Sequence, residues 1–399
     1  MSMSSRERVL ASINHQLPDR LPLDLGATRV TGIQPGILTR LRQQLGLPAS
    51  PAKVMDVWQM LAWVDRATID ALNADALPVP RLVMDFNMRL NSWRPWKLSD
   101  ETPVQMPGNF ETHEENDGSL VIYHNNEIVA RKAVSSPYFD KVLETRMSYT
   151  NPPIETIPLI TLSHEELTWR KHWAETLRAE TDKALVGDFG FNLGRWGSYQ
   201  EWLYTLGADP DYVRCWYDRK IENLLENVKL YAEAVGDNID IFWLMEDFGT
   251  QKGMMISPKS FKELIAPKYK RLFSWIHKNT AWKIFFHSCG GIYPIINSLI
   301  DCGIDILNPI QTAASGMDPN RLKTEFGSQI TFWGGGIDTQ DTLPFGTPQD
   351  VRKQVRERIS IFSPGGGFIF NPIHNIQDDV PVENLIAMYE TVHEYGVYA

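Results

Sequence analysis

Cysteine is scarce in this chain, with only Cys215, Cys289 and Cys302 among 399 residues. So few thiols argue against a disulfide-built extracellular scaffold. Because Met1-Ser-Met-Ser-Ser-Arg-Glu-Arg8 also carries no apolar signal core, a reducing cytoplasm is the expected compartment. There is no run of lysine or arginine, and the net charge is −10. Nucleic acid and anionic membrane surfaces would be repelled, so neither is expected as a partner. No apolar stretch is long enough to span a bilayer, and no internal repeat or low-complexity tract interrupts the chain. A small molecule or another protein remains as the partner. What the chain does have is apolar material, 43% of its residues with 13 Trp and 17 Phe, which is enough for a large core.

Short apolar runs ending in Gly, Asn, Asp or Pro alternate with longer segments whose apolar residues recur at helical spacing. Eight such runs are expected as strands: Arg20 to Gly26, Ala71 to Val79, Ala184 to Gly190, Ile239 to Phe248, Lys283 to Cys289, Asp305 to Gln311, Ile330 to Ile337 and Gly367 to His374. Ser257-Pro258 and Thr347-Pro348 open two of the intervening helices, Phe261 to Lys278 and Val351 to Phe362, with proline at a first turn. Eight βα units in one domain, 1–399, predict an α/β chain folded as a (β/α)8 TIM barrel. Residues 91–149 break the pattern. The turn sequences Pro107-Gly108-Asn109 and Asn116-Asp117-Gly118, with alternating runs between them, predict a β-hairpin insertion after the second strand. It serves either as a cover or homodimer contact, or as a lid over one barrel end.

In such a barrel the carboxyl ends of the strands share one mouth, where the active site is expected. Those ends carry Asp24 and Arg29, Asp75, Asp188 with Arg195 and Trp196, Glu246-Asp247 with Gln251, His287-Ser-Cys289, Asn308 with Gln311, Trp333 with Asp338, and Asn371-Pro-Ile-His374. His287 and Cys289 lie two residues apart where a strand meets Gly290-Gly291, so both project to one side and could hold a soft metal ion. The competing reading makes Cys289 a packing residue and His287 a hydrogen-bonded strand end. His374, from the eighth strand, is the candidate third ligand, which would leave the fourth position of a Zn²⁺ ion open as in catalytic sites. Gln311, Glu246, water or substrate could take that position, or His374 could contact a substrate carboxylate instead. Glu246, Asp247 and Asp75 are the candidate catalytic carboxylates. Arg29, Arg195, Gln251, Asn308, Gln311 and Asp338 are candidate substrate contacts, with Trp196, Trp243 and Trp333 as possible pocket walls.

The chain resembles the uroporphyrinogen decarboxylase superfamily. The likeness is carried by Arg6 to Asn14 with Pro18-Asp-Arg-Leu-Pro22, then His287-Ser-Cys-Gly290, Leu307-Asn-Pro-Ile-Gln311, Gly334-Gly-Gly-Ile-Asp338 and Asn371-Pro-Ile-His-Asn-Ile376. The resemblance implies a (β/α)8 fold. The His-x-Cys-Gly element is similar to that of the cobamide-dependent methyltransferase branch, whose zinc is held by His, Cys and a later Cys. Here His374 stands where that later Cys would be. The resemblance thus implies zinc, a small methylated substrate and a corrinoid protein carrying the cobamide, and Trp196, Trp243 and Trp333 as pocket walls point to a methoxylated aromatic as that substrate. The decarboxylases themselves are similar at Asp75 and His374, but their arginine-rich element after the first strand is reduced here to Arg29. The alternative readings are a metal-free decarboxylase or lyase acting on a carboxylated substrate, and a barrel that binds a partner without turnover.

Overall fold

The computed structural model describes residues 3–141, 151–194 and 198–398. Seven parallel strands form one curled sheet in chain order: Ala76–Pro78, Ala184–Gly187, Ile241–Met245, Lys283–His287, Ile306–Asn308, Thr331–Trp333 and Phe368–Ile369. The eighth place belongs to the extended segment 21–24. Leu23 pairs in parallel with Phe370 on one side, and on the other its carbonyl accepts from the Asp75 amide at 2.7 Å. The barrel is therefore closed, as the resemblance implies. Pro18 and Pro22 remove backbone donors near this segment, so it closes the ring through single bridges rather than a ladder.

Alternation along the strands sorts the core. Ala76, Val186, Ile241, Trp243, Phe285, Ile306, Trp333 and Ile369 point inward and fill the barrel, with Val9 and Ile13 of the helix Ser5–Ile13 packed into the same cluster. Phe242, Leu244, Ile284, Phe286, Leu307 and Phe332 point outward and pack against the surrounding helices. The helix expected from Phe261 begins at Pro258, capped by Ser257, and continues to Asn279 through a π-helical turn at Phe261–Ile265. Pro267 follows that turn and has no amide to donate, so the wider turn accommodates the lost bond. Thr347 and Asp350 form a reciprocal capping box for the helix Pro348–Phe362.

The insertion is β-rich as expected, but it begins before the second barrel strand. Ala52–Asp56 and Leu61–Ala62 precede that strand, and Ala52–Asp56 pairs in parallel with Pro103–Pro107, which also pairs with Trp93–Lys97. A second sheet holds the hairpin Leu120–His124 and Glu127–Lys132, turned by Asn125 and Asn126, both at positive φ. Met55, Met84, Val104, Met106, Phe110 and Phe139 bury a separate core between these pieces. Residues 142–149 of the expected excursion lie outside the described residues.

Candidate metal centre

The fifth barrel strand ends at His287, whose register partner on the sixth is Asn308. Ser288 donates its amide to the Asn308 carbonyl at 2.9 Å, and the chain then turns through Gly290 at φ +87°. A Cβ on Gly290 would lie 2.4 Å from the Gly249 carbonyl carbon and 2.6 Å from the Thr250 amide, so only glycine fits this crossing. Cys289 is thereby held on the same side as His287, with Sγ 3.2 Å from Nε2.

The outer partner of His287 sets its tautomer. Asn308 donates Nδ2 to the Trp333 carbonyl at 2.7 Å, which leaves its Oδ1 as the acceptor 2.5 Å from His287 Nδ1. The proton therefore sits on Nδ1, and the Nε2 lone pair faces Cys289. His374 completes the set from the loop after the eighth strand, at φ +87°, a strained region for a residue with a side chain. Its neighbour Asn375 anchors that loop by accepting from the Gly32 amide and donating to the Arg29 carbonyl and Gln59.

The three donor atoms of His287, Cys289 and His374 lie within 4.8 Å of one another. Ligand atoms of a tetrahedral zinc stand roughly 3.5 Å apart, so the set fits the ion with small side-chain adjustments. Burial lowers the pKa of both imidazoles, His374 to about 4 with His287 adding to the effect, so both are neutral lone-pair donors at neutral pH. Burial and the Asp247 carboxylate push the Cys289 thiol up. Asp247 accepts from the Cys289 amide at 2.9 Å and lies 3.7 Å from His287 Nε2.

A cavity of about 330 Å³ opens against Cys289 and His374, bounded by the loops that follow the fourth to the eighth barrel strands. It brings together three of the expected contacts, Gln251, Gln311 and Asp338. Gln311 also accepts from the Gly290 amide at 2.7 Å, and Gln251 bonds Gln340 from the loop after the seventh strand. Gln340 and Gln377 line the cavity as well and were not expected, since an isolated amide side chain in a loop carries no motif. None of the insertion's described residues lines this cavity.

Other expected site residues lie elsewhere. Asp75 sits at the opposite, amino-terminal end of its strand, fully buried beneath Arg8 and Arg20, so it is no part of the mouth. Glu246 points outward, accepting from Tyr269 at 2.7 Å and from the Gly194 amide at 3.1 Å, away from the three donors. Asn308 stands behind His287 and does not line the cavity. Trp333 fills the barrel interior and donates to Asp24 at 2.8 Å. Trp243 and Arg29 line a separate inner cavity of about 40 Å³, where Arg29 is paired with Asp56 at 2.7 Å and Asp85 at 2.6 Å. Arg195 and Trp196 lie outside the described residues.

Because Asn308 orients one ligand and touches nothing else in the cavity, Asn308→Ala is expected to weaken zinc affinity by about 10- to 100-fold. Competition against a chelating dye measures this, and an unchanged affinity would show that His287 needs no such partner.

A sequence model of the uroporphyrinogen decarboxylase (URO-D) family matches residues 196–395. Uroporphyrinogen decarboxylase of Mannheimia succiniciproducens is 21% identical over 279 residues, spanning 66% of this chain and 73% of that protein. The enzyme of the same name from Pseudomonas fluorescens is 24% identical over 277 residues, 65% and 71% of the two chains. Among solved structures, a methyltransferase from Methanosarcina mazei superposes with a TM-score of 0.59 at 16% identity, covering 99% of both chains, a likeness of fold. The family match takes in half the chain and every strand end that supplies the His287, Cys289 and His374 donors, so this chain belongs to the uroporphyrinogen decarboxylase family.

Proposed function

We propose that this chain is a zinc-dependent methyltransferase that moves a methyl group between a small methylated compound and a cobamide held by a separate corrinoid protein. The observation that carries the reading is the convergence of His287, Cys289 and His374 on one point beside a cavity. Bound by these three donors, zinc would supply Lewis-acid polarisation of a heteroatom in its open fourth position. The protein's own contribution is positional. Asn308 fixes the His287 lone pair, the Gly290 crossing fixes Cys289, and the glutamines of the cavity orient the methyl-bearing molecule. Asp247, and not Glu246, is the carboxylate beside the donors, accepting from the Cys289 amide at 2.9 Å with Oδ1 3.7 Å from His287 Nε2. The M. mazei neighbour, a methyltransferase by name, supports the reading.

The decarboxylase names of the relatives offer a second reading, in which Arg29 would meet a substrate carboxylate. Arg29 already carries Asp56 and Asp85, which leaves it poorly placed to neutralise another acid.

The test is to mix the zinc-loaded protein with a corrinoid protein reduced to its cob(I) form and a panel of methylated compounds, following the corrin absorbance change. Methyl transfer with at least one compound is expected, falling about 100-fold or more in Cys289→Ser, as for loss of a group acting in the transition state. Carbon dioxide release from a carboxylated substrate without metal would overturn the proposal.

A further inference from the structure

The cavity beside the metal centre has an unusual charge balance for a family named after a polycarboxylate substrate. Among the described residues, no lysine or arginine lines it. The side chains of Gln251, Gln311, Gln340, Asn375 and Gln377 that line it are neutral amides. The charge on its wall belongs to Asp338, which is half-buried and makes no ion pair among the described residues. Asp338 Oδ1 accepts from the amides of Gln340 at 2.7 Å and Asp341 at 3.0 Å, and its second oxygen is left for a ligand. A second carboxylate, Asp247, stands at the metal side behind the cavity lining, with Oδ1 3.7 Å from His287 Nε2. The chain as a whole, at −10, provides no cationic field to offset them.

From this we infer that the cavity selects a small molecule bearing an ammonium group opposite Asp338, with its methyl-bearing oxygen or sulfur toward His287 and Cys289, and rejects carboxylates. Placing the methyl-bearing atom rests on the methyl-transfer reading; the charge selection rests on the cavity alone. A carboxylate placed opposite Asp338 would face a like charge with no cationic side chain among the described lining residues, whereas an ammonium there can donate to Asp338 and to the glutamine carbonyls. At about 330 Å³ the space is at the small end of ligand pockets, which suits a short aliphatic compound.

Three probes of nearly equal size separate the possibilities: 2-methoxyethylammonium, 2-methoxyethanol and methoxyacetate. Binding is measured by calorimetry and ligand-observed NMR on wild type and on Asp338→Asn, which keeps the Oδ1 acceptor of the loop. The ammonium is expected to bind at least about tenfold tighter than methoxyacetate. Asp338→Asn should remove that preference and leave 2-methoxyethanol unchanged, a neutral probe that also reports an intact cavity. Equal or tighter binding of methoxyacetate overturns the inference. So does a preference that survives Asp338→Asn, or failure of all three probes to bind. Zinc content is read on the same samples: a zinc-free protein that still prefers the ammonium sinks the methyl-transfer reading and keeps the charge selection.

Discussion

Cys289→Ser is expected to lower bound zinc from about one ion per chain to less than about a tenth of that, measured by elemental mass spectrometry on protein purified without a histidine tag or added metal. Serine preserves the size and the backbone geometry of the site, including the hydrogen bond that the backbone N–H donates to Asp247 Oδ1 at 2.9 Å. It removes the only donor that can carry a negative charge to the ion. The two imidazoles left are neutral, and a pair of neutral nitrogens does not hold zinc against the buffer. His374→Asn is the matching variant on the other side of the site, because asparagine tolerates the positive φ of +87° that alanine would strain. It should lose zinc as well. Retention of full zinc by both variants would mean that the three donors meet for packing alone, and the proposed function would fall with them.

The barrel was legible because buried parallel strands are continuous apolar runs, and Lys283 to Phe286 or Asp305 to Leu307 can hardly be anything else. The metal set was legible for a related reason, since i and i+2 in an extended segment share a side wherever the strand lies. The same period-two rule, taken one step further, distinguishes Glu246 from Asp247. Ile241, Trp243 and Met245 belong with the barrel interior and Phe242 and Leu244 with the outer core, so Asp247 continues inward and Glu246 outward toward Tyr269. What sequence could not show was where a strand begins. Ala71 to Val79 reads as one apolar run, yet the helix Arg66–Ala71 uses its first residue, Leu72 to Ala74 form the turn, and the strand is only Ala76–Pro78. A shift of a few residues moved Asp75 from one end of the barrel to the other. Nor could the sequence show that the insertion recruits Ala52–Asp56, because a parallel pairing across fifty residues leaves no local signal.

Asp75→Asn is therefore expected to destabilise the fold and to spare the metal centre. Both carboxylate oxygens are fully used: Oδ1 accepts from Arg8 at 2.7 Å and Arg20 at 2.8 Å, and Oδ2 accepts from Arg20 at 2.8 Å and from the Leu23 amide at 2.9 Å. The last bond, with the Asp75 amide bound to the Leu23 carbonyl, is what joins the first barrel position to the second. Asparagine would keep one acceptor but set an NH₂ group against existing donors, leaving buried guanidinium charge without its counter-ion. Arg8 retains Asp19 at 2.6 Å, which softens the loss. Breaking a buried ion pair from one side costs about 3–5 kcal/mol. In a chain of this size that corresponds to a fall in melting temperature of roughly 4–6 °C, read by calorimetry at a fixed protein concentration. Zinc content and methyl transfer per folded molecule should stay at wild-type values, because Asp75 lies at the amino-terminal end of the strands and the donors at the carboxyl-terminal end. A variant that melts like the wild type but has lost turnover would return Asp75 to the active site and require the barrel end to be reassigned.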